Sequence, residues 1–325
     1  MIKYSFIVPV KEINDYIRET IQKILEIKRD DFEIIVYPDK ATREIWDKTR
    51  QISTGRVGPA QKRNLAIRDS LGEILVFIDD DAYPEKNFLD ILDENFNDPN
   101  VTAVGGPAIT PQTDSFFQKV SGAVFLSRLS HSHPERYWSL GRKRFVDDWP
   151  SVNLSIRKKS FTEINGFDSE YWPGEDTKLC LDIIKKLNGK ILYEPELIVY
   201  HHRRSGLINH LKQVGGYGLH RGFFAKKFPE TSFKLKYFIP SGFFIFVVFG
   251  WVLLFFPLFF QFLYFSVWIL YLFALIFALF DIYAKIKDAK ISLVSIFYIF
   301  LTHIYYGFRF IQGFVFTKNL KSKLK

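Results

Sequence analysis

From Tyr237 to Phe280 the chain carries no Asp, Glu, Lys, Arg or His. A bilayer core is crossed by about 20 apolar residues wound as a helix, and this run is about twice that length. A soluble core does not accommodate so long an uncharged helix, so the run reads as a helical hairpin, 237–257 and 258–280, turning near Pro257. It divides the chain into a domain over residues 1–236 and a membrane domain over 237–325. A third apolar segment, 291–316, has two readings. As a span it carries the tail TKNLKSKLK, with its four lysines, across the bilayer, against the positive-inside tendency. As an interfacial helix with His303, Arg309 and Gln312 facing water, it leaves the tail inside.

The formal net charge of +9 suggests a nucleic-acid binder until its distribution is followed. Residues 1–202 hold 28 basic and 32 acidic side chains, a balance of −4. Residues 203–236 hold Arg203, Arg204, Lys212, Arg221, Lys226, Lys227, Lys234 and Lys236 against Glu230 alone, a balance of +7. A basic segment abutting a span marks the cytoplasmic side and suits anionic headgroups. Membrane lipids therefore account for the charge, and no nucleic-acid partner is expected. The N-terminal MIKYSFIVPV lacks the long apolar core of a signal peptide and reads as a β-strand, which places residues 1–236 in the cytoplasm and makes this a multi-pass protein of the cytoplasmic membrane. The single Cys180 excludes an intramolecular disulfide and a cysteine-rich metal site.

Before the membrane segment, strand and helix alternate. YSFIVPV, FEIIVYP and EILVFI read as strands. DYIRETIQKILEIK has helical spacing at Ile17, Ile21, Ile24 and Leu25. PAQKRNLAIRDSLG reads as a helix with Pro59 near its start and Gly72 past its end, and PEKNFLDILDENF as another. Continuous apolar strands alternating with helices predict an α/β fold with a doubly wound, parallel or mixed sheet, whose ligands bind at the carboxyl ends of the strands. Asp39 and the run Asp79–Asp81 fall at such ends.

FIDDDAYP places three carboxylates in a row after a buried strand. In an extended chain Asp79 and Asp81 point one way and Asp80 the other. Two converging carboxylates suit Mg²⁺ or Mn²⁺, while a turn and helix cap ahead of Pro84 is the simpler alternative. Further on, Leu179, Ile183, Ile184 and Leu187 describe an amphipathic helix closed by Gly189, with Glu175 and Asp176 at its start. Acids are favoured there as caps. A general base for an acceptor hydroxyl is the other reading, since a Trp-Pro-Gly turn precedes the pair.

Together, FIVPVKEINDYI, FEIIVYPD, GPAQKRNLA, FIDDDAYP, INGFD, PGEDTKLCLDIIKKLNGKILYEP and VYHHRRS resemble the family 2 glycosyltransferases over roughly residues 3 to 225. That resemblance implies a GT-A fold, a nucleotide-sugar donor and inversion at the anomeric carbon in one displacement. Asp79 and Asp81 match the D-x-D positions and would hold the metal against the diphosphate, with Asp80 between them. Asp176 matches the acid of the E-D motif and would be the base, with Glu175 beside it. Pro9 and Asp39 match the nucleoside-contacting positions, but Pro38 and Lys40 depart from the family's D-D-G-S turn and leave the base open.

Lys62 and Arg63 would add positive charge near the diphosphate, although Lys62 also reads as a solvated helix residue. Some relatives place a His or Arg from the HHRR region on the diphosphate, which carries over to His202 and Arg204, next to His201 and Arg203. Arginines facing headgroups are the alternative. Asn153, Trp149 and Trp172 would line the sugar or acceptor cleft, or, for the tryptophans, pack in the core. Processive relatives carry Q-x-x-R-W where this chain has Gln213, Gly216 and Tyr217, so the arginine is missing and extrusion of a polymer is disfavoured.

The expected function is transfer of one sugar to a lipid-linked acceptor, in cell-surface polysaccharide or glycolipid synthesis. The alternatives are transfer to a polyprenyl phosphate, as in dolichol-phosphate mannose synthase, and a non-catalytic nucleotide-sugar-binding protein anchored to the membrane.

Overall fold

The computed structural model describes residues 1–130 and 133–320. Lysines 321, 323 and 325 of the tail therefore lie outside the described residues. The described chain forms two compact units, one of residues 1–111 and 138–202, the other of residues 112–137 and 203–320.

The first unit is built on an eight-stranded mixed sheet. Its strands are β1 (Tyr4–Pro9), β2 (Phe32–Tyr37), β3 (Thr49–Gln51), β4 (Ile74–Ile78), β6 (Val101–Gly105), β8 (Arg144–Val146), β9 (Asn153–Arg157) and β10 (Lys190–Tyr193). They lie in the order β3-β2-β1-β4-β9-β6-β10-β8. A smaller sheet joins β5 (Ala82–Pro84), β11 (Val199–His201) and β7 (Ala108–Ile109). The helices are α1 (Asp15–Leu25), α2 (Pro59–Asn64), α3 (Ala66–Asp69), α4 (Phe88–Phe96), α6 (Lys158–Glu163) and α7 (Glu175–Leu187), with α5 (Phe116–Val124) in the second unit.

Strands β1, β2 and β4 run parallel and are buried along their whole length, as continuous apolar strands covered on both faces must be. One face packs on Ile17, Ile21 and Ile24 of α1 and on α4; the other packs on Phe161, Phe167, Leu179 and Ile183. Each fully buried Ile, Leu or Phe contributes about 1.5–3 kcal/mol. The three parallel strands end on the same edge, which brings the residues after β1, β2 and β4 together. Strand β9 then pairs antiparallel with both β4 and β6, so the sheet is mixed.

Two local features differ from the sequence expectation. The helix foreseen over 59–70 is interrupted at Leu65 into α2 and α3, next to Asn64, whose side chain holds both the N–H and the carbonyl of Phe167, at 2.7 and 2.8 Å. Helix α7 is closed by Asn188 in the left-handed conformation (φ 50°), one residue before the expected Gly189.

The second unit is helical, comprising α5, α8 (Leu207–Lys227), α9 (Pro229–Ser232), α10 (Leu235–Phe249), α11 (Leu258–Ile286) and α12 (Ala289–Ile311). Among the described residues, three stretches are long and apolar enough to cross a membrane: Leu235–Phe255, Leu258–Ile286 and Ala289–Phe316. The expected turn at Pro257 is present, with Pro257 at the start of α11. The first two stretches are almost bare of protein cover, at 11% and 6% buried, whereas the third is 44% buried.

That cover comes from α5, α8 and α10, and the first two move the division of the chain away from residue 236. Val120, Ala123 and Val124 of α5 share a core with Ala278, Ile282, Ile291, Tyr298 and Ile299. Along α8, an added Cβ at Gly218 or Gly222 would lie 2.6 or 2.1 Å from a carbonyl oxygen of the α12 backbone, so only glycine permits this approach. Segments 112–137 and 203–236 consequently belong to the helical unit. His303 does not face water, contrary to the interfacial reading of this segment. It is 6% exposed and its ring nitrogens meet the Tyr271 hydroxyl and the Leu129 carbonyl, each at 2.9 Å.

Candidate active site

The parallel edge of the first unit brings Asp39, Asp79, Asp81 and Glu175 together with Lys62 and Arg63. After β4 the chain does not continue extended. Residues 79–81 form a turn, closed by the Ala82 N–H on the Asp79 carbonyl at 3.2 Å. The side chains of Asp79 and Asp81 still converge, through this turn and not through strand alternation. The Asp80 carbonyl accepts the Thr20 hydroxyl at 3.1 Å, which ties the turn to α1.

His201 joins them. Strand β11 pairs antiparallel with β5 so that His201 stands opposite Ala82, next to Asp81. Its Nε2 lies 3.1 Å from the Asp81 carboxylate, and ligand atoms of Asp79, Asp81 and His201 all fall within 4.8 Å of one another. Two carboxylates and an imidazole at that spacing fit a divalent transition-metal ion. Adjacent His202, the residue carried over to the diphosphate, points elsewhere. Its ring meets Glu19 at 3.1 Å and lies against Tyr16 and Tyr83. Alternation along the strand separates the two histidines, and a sequence without register does not reveal which faces the acids.

Helix α2 supplies the cations, and both are buried to 3% exposure. Lys62, for which a solvated helix face was the alternative, turns inward to the Asp39 carboxylate and to the Val10 carbonyl at 2.6 Å. It thereby fastens the segment after β2 to the end of β1, where Pro9 is the last residue. Arg63 turns the other way. Its Nη2 donates to Asp79 at 2.6 Å and its Nη1 to Glu175 at 3.3 Å, while the guanidinium lies over the Phe167 ring.

Glu175 and Asp176 open α7. The residue before them, Gly174, has φ 124°, a conformation that side-chain-bearing residues rarely adopt, and it sets the angle at which the helix leaves the Trp172-Pro173 turn. Glu175 is 6% exposed and also accepts the Gly174 N–H at 3.0 Å. Burial first, then the neighbouring Asp176 charge, push its carboxyl up to about 7, outweighing the pull of Arg63. Asp176 is less buried and accepts the Thr177 N–H at 2.8 Å. Thr177 in turn donates to Asp148 at 3.1 Å, an acid the sequence reading did not single out.

Two residues expected to line the cleft, Asn153 and Trp149, are instead engaged with buried backbone carbonyls. Asn153 is 0% exposed, and its amide holds the carbonyls of Pro107 and Leu197 at 3.1 and 2.7 Å, which braces β9 against the small sheet's connections. Trp149 is 1% exposed, donates to the Gly106 carbonyl and packs on Tyr193, so it is core. Arg204 is an exposed residue of the helical unit.

Comparison with known proteins agrees with this architecture. Residues 5–158 match the profile of Glycosyl transferase family 2. A pre-mycofactocin glycosyltransferase of Mycobacterium tuberculosis is 26% identical over 185 residues, 55% of this chain and 37% of that protein. The chain thus spans little more than a third of that relative's length. A dolichyl N-acetyl-α-D-glucosaminyl phosphate 3-β-D-2,3-diacetamido-2,3-dideoxy-β-D-glucuronosyltransferase of Methanococcus voltae is 20% identical over 258 residues, 74% of this chain and 78% of that one. Among solved structures, the mannosyltransferase PcManGT of Pyrobaculum calidifontis, in complex with GDP-Man and Mn²⁺, superposes with a TM-score of 0.57 at 16% identity, over 98% of this chain and 88% of its own. Residues 5–158 are therefore a family 2 glycosyltransferase domain of the GT-A fold, carried on a chain with apolar helices at its C-terminal end.

Proposed function

We propose that this chain is an inverting glycosyltransferase that moves one sugar from a nucleotide-sugar to a lipid-linked acceptor at the cytoplasmic face of a membrane. The observation that carries the reading is the convergence of Asp79, Asp81 and His201 within 4.8 Å, on the sheet edge that Arg63 links to the start of α7. A divalent ion on these three residues would offset the charge that develops on the leaving diphosphate. The imidazole nitrogen in the donor set favours Mn²⁺ over Mg²⁺, which prefers an all-oxygen shell. Asp39, fixed by Lys62, offers an acceptor at the nucleoside position. Asp176 takes the proton of the acceptor hydroxyl as the glycosidic bond forms on the opposite face of the sugar.

A membrane-anchored acceptor agrees with the three apolar helices and with the basic segment 203–236 that abuts them. It also agrees with the names of two relatives. One is the M. voltae enzyme; the other is a glucosyl-dolichyl phosphate glucuronosyltransferase of Haloferax volcanii, 20% identical over 210 residues. Both names describe a sugar acceptor already carried on a lipid phosphate. The test is a panel of UDP-, GDP- and dTDP-sugars offered to the detergent-solubilised chain with Mn²⁺ and a lipid extract. One donor should release its nucleotide in a metal-dependent way, and both Asp81→Ala and Asp176→Asn should abolish release. Release that survives Asp176→Asn alone would replace the hydroxyl acceptor with a lipid phosphate, which is already an anion. No turnover of any donor would refute the enzyme reading.

A further inference from the structure

We propose that Arg63 is a positioning residue that couples cation binding at Asp79 to the catalytic helix α7 through Glu175. The inference deepens the glycosyl-transfer reading and rests on it. Arg63 is one guanidinium shared by two carboxylates from distant parts of the chain, with 4% of its side chain exposed. The sharing is uneven. The bond to Asp79 is short at 2.6 Å, and the bond to Glu175 is long at 3.3 Å. Among the described residues Arg63 Nε has no acceptor, so no other side chain or backbone group holds the guanidinium on that edge. The Phe167 ring beneath it, 5.5 Å from the guanidinium carbon, lets the group swing in its plane without losing its stacking partner.

A cation that engages Asp79 competes with Arg63 for the negative charge of the same carboxylate. The charge that Arg63 then lacks at Asp79 is available at Glu175, which is buried, begins α7 and immediately precedes Asp176. Donor-site occupancy is thereby converted into a tighter hold on the first turn of α7, and Asp176 is set in place when there is a donor to attack. A purely structural arginine would make no such connection. It would hold both acids equally in either state.

Reciprocity gives the test. If a cation at Asp79 drives Arg63 toward Glu175, then the Glu175 charge assists cation binding by the same factor, although Glu175 touches no metal ligand in the described contacts. Mn²⁺ binding to the full chain in detergent, at about pH 8, is read by the loss of the free-ion EPR signal. Glu175→Gln should weaken Mn²⁺ binding by about fivefold in the wild-type background and have no effect in an Arg63→Gln background. An equal effect in both backgrounds would show simple charge removal acting through space and would overturn the coupling, as would no effect in either.

Should Arg63→Gln fail to fold, Arg63→Lys serves, because an ammonium cannot hold two carboxylates in the same fork and the Glu175→Gln effect should shrink. Amide exchange over residues 172–180 supplies the second readout. Mn²⁺ should slow it in the wild type and leave it unchanged in Glu175→Gln. A wild type that binds Mn²⁺ without any response in α7 refutes the coupling alone. One that binds no Mn²⁺ refutes the metal site as well.

Discussion

Glu175 makes the stability of the first unit depend on pH in a direction opposite to that of most carboxylates. Its folded-state carboxyl is raised from 4.5 to about 7, by burial and then by Asp176. A raised acid binds its proton more tightly in the folded state. Its contribution is therefore fully present below about pH 4.5, falls as pH rises, and is gone above about pH 7. At about 1.36 kcal/mol per pH unit, the contribution lost across that range is on the order of 3 kcal/mol. Glutamine keeps the shape and an acceptor for Arg63 but has no proton to lose. The difference in melting temperature, Glu175→Gln minus wild type, should therefore rise between pH 4.5 and 7 and level off above pH 8. At about 2–4 °C per kcal/mol for a unit of this size, the rise should be on the order of 6–12 °C. Differential scanning fluorimetry of the detergent-solubilised chain across that range measures it directly. A melting difference that is constant between pH 4.5 and 8, or that falls, would refute the argument that burial governs this carboxyl.

Two further expectations separate neighbouring residues. His201→Ala should weaken Mn²⁺ binding by at least about tenfold, and His202→Ala should change it far less, because His201 stands with Asp79 and Asp81 while the His202 ring meets Glu19; calorimetric titration of both variants decides it. Gly174→Ala places a Cβ at φ 124° and should cost about 1–3 kcal/mol, while kcat falls with little change in nucleotide affinity, because the substitution tilts α7 and leaves Asp39 and the 79–81 turn in place.

Much of the first unit is legible in the sequence because its strands are buried on both faces and read as apolar runs. EILVFI is the clearest case, and the helical spacing of Ile17, Ile21 and Ile24 is nearly as clear. What fails is information about phase and distance. Asp79 and Asp81 converge, but by a turn whose backbone bonds leave no mark in the residue types. The choice between His201 and His202 depends on the register of a three-residue strand against β5, a long-range pairing. Asn153 is polar and near the motifs, so a cleft position is the natural expectation. Its actual task is to satisfy two buried carbonyls, Pro107 and Leu197, contributed by chain some 45 residues away on either side. The inward turn of Lys62 is equally hidden. An alternating helix surface gives no sign that a lysine will be drawn in by a carboxylate and a strand-end carbonyl.

The helical unit has a consequence for the order in which the chain can be made. Helix α5 leaves the ribosome well before α12, yet Val120 and Val124, both 0% exposed, pack on residues of α11 and α12, and Ser121 is bonded to His210 of α8. During synthesis this short helix must wait, its apolar face uncovered, until the last helices arrive. A fragment cut after residue 202 would keep α5 and lose the later helices that shield it, so the piece that holds the acids of the candidate site would be the piece most prone to aggregate.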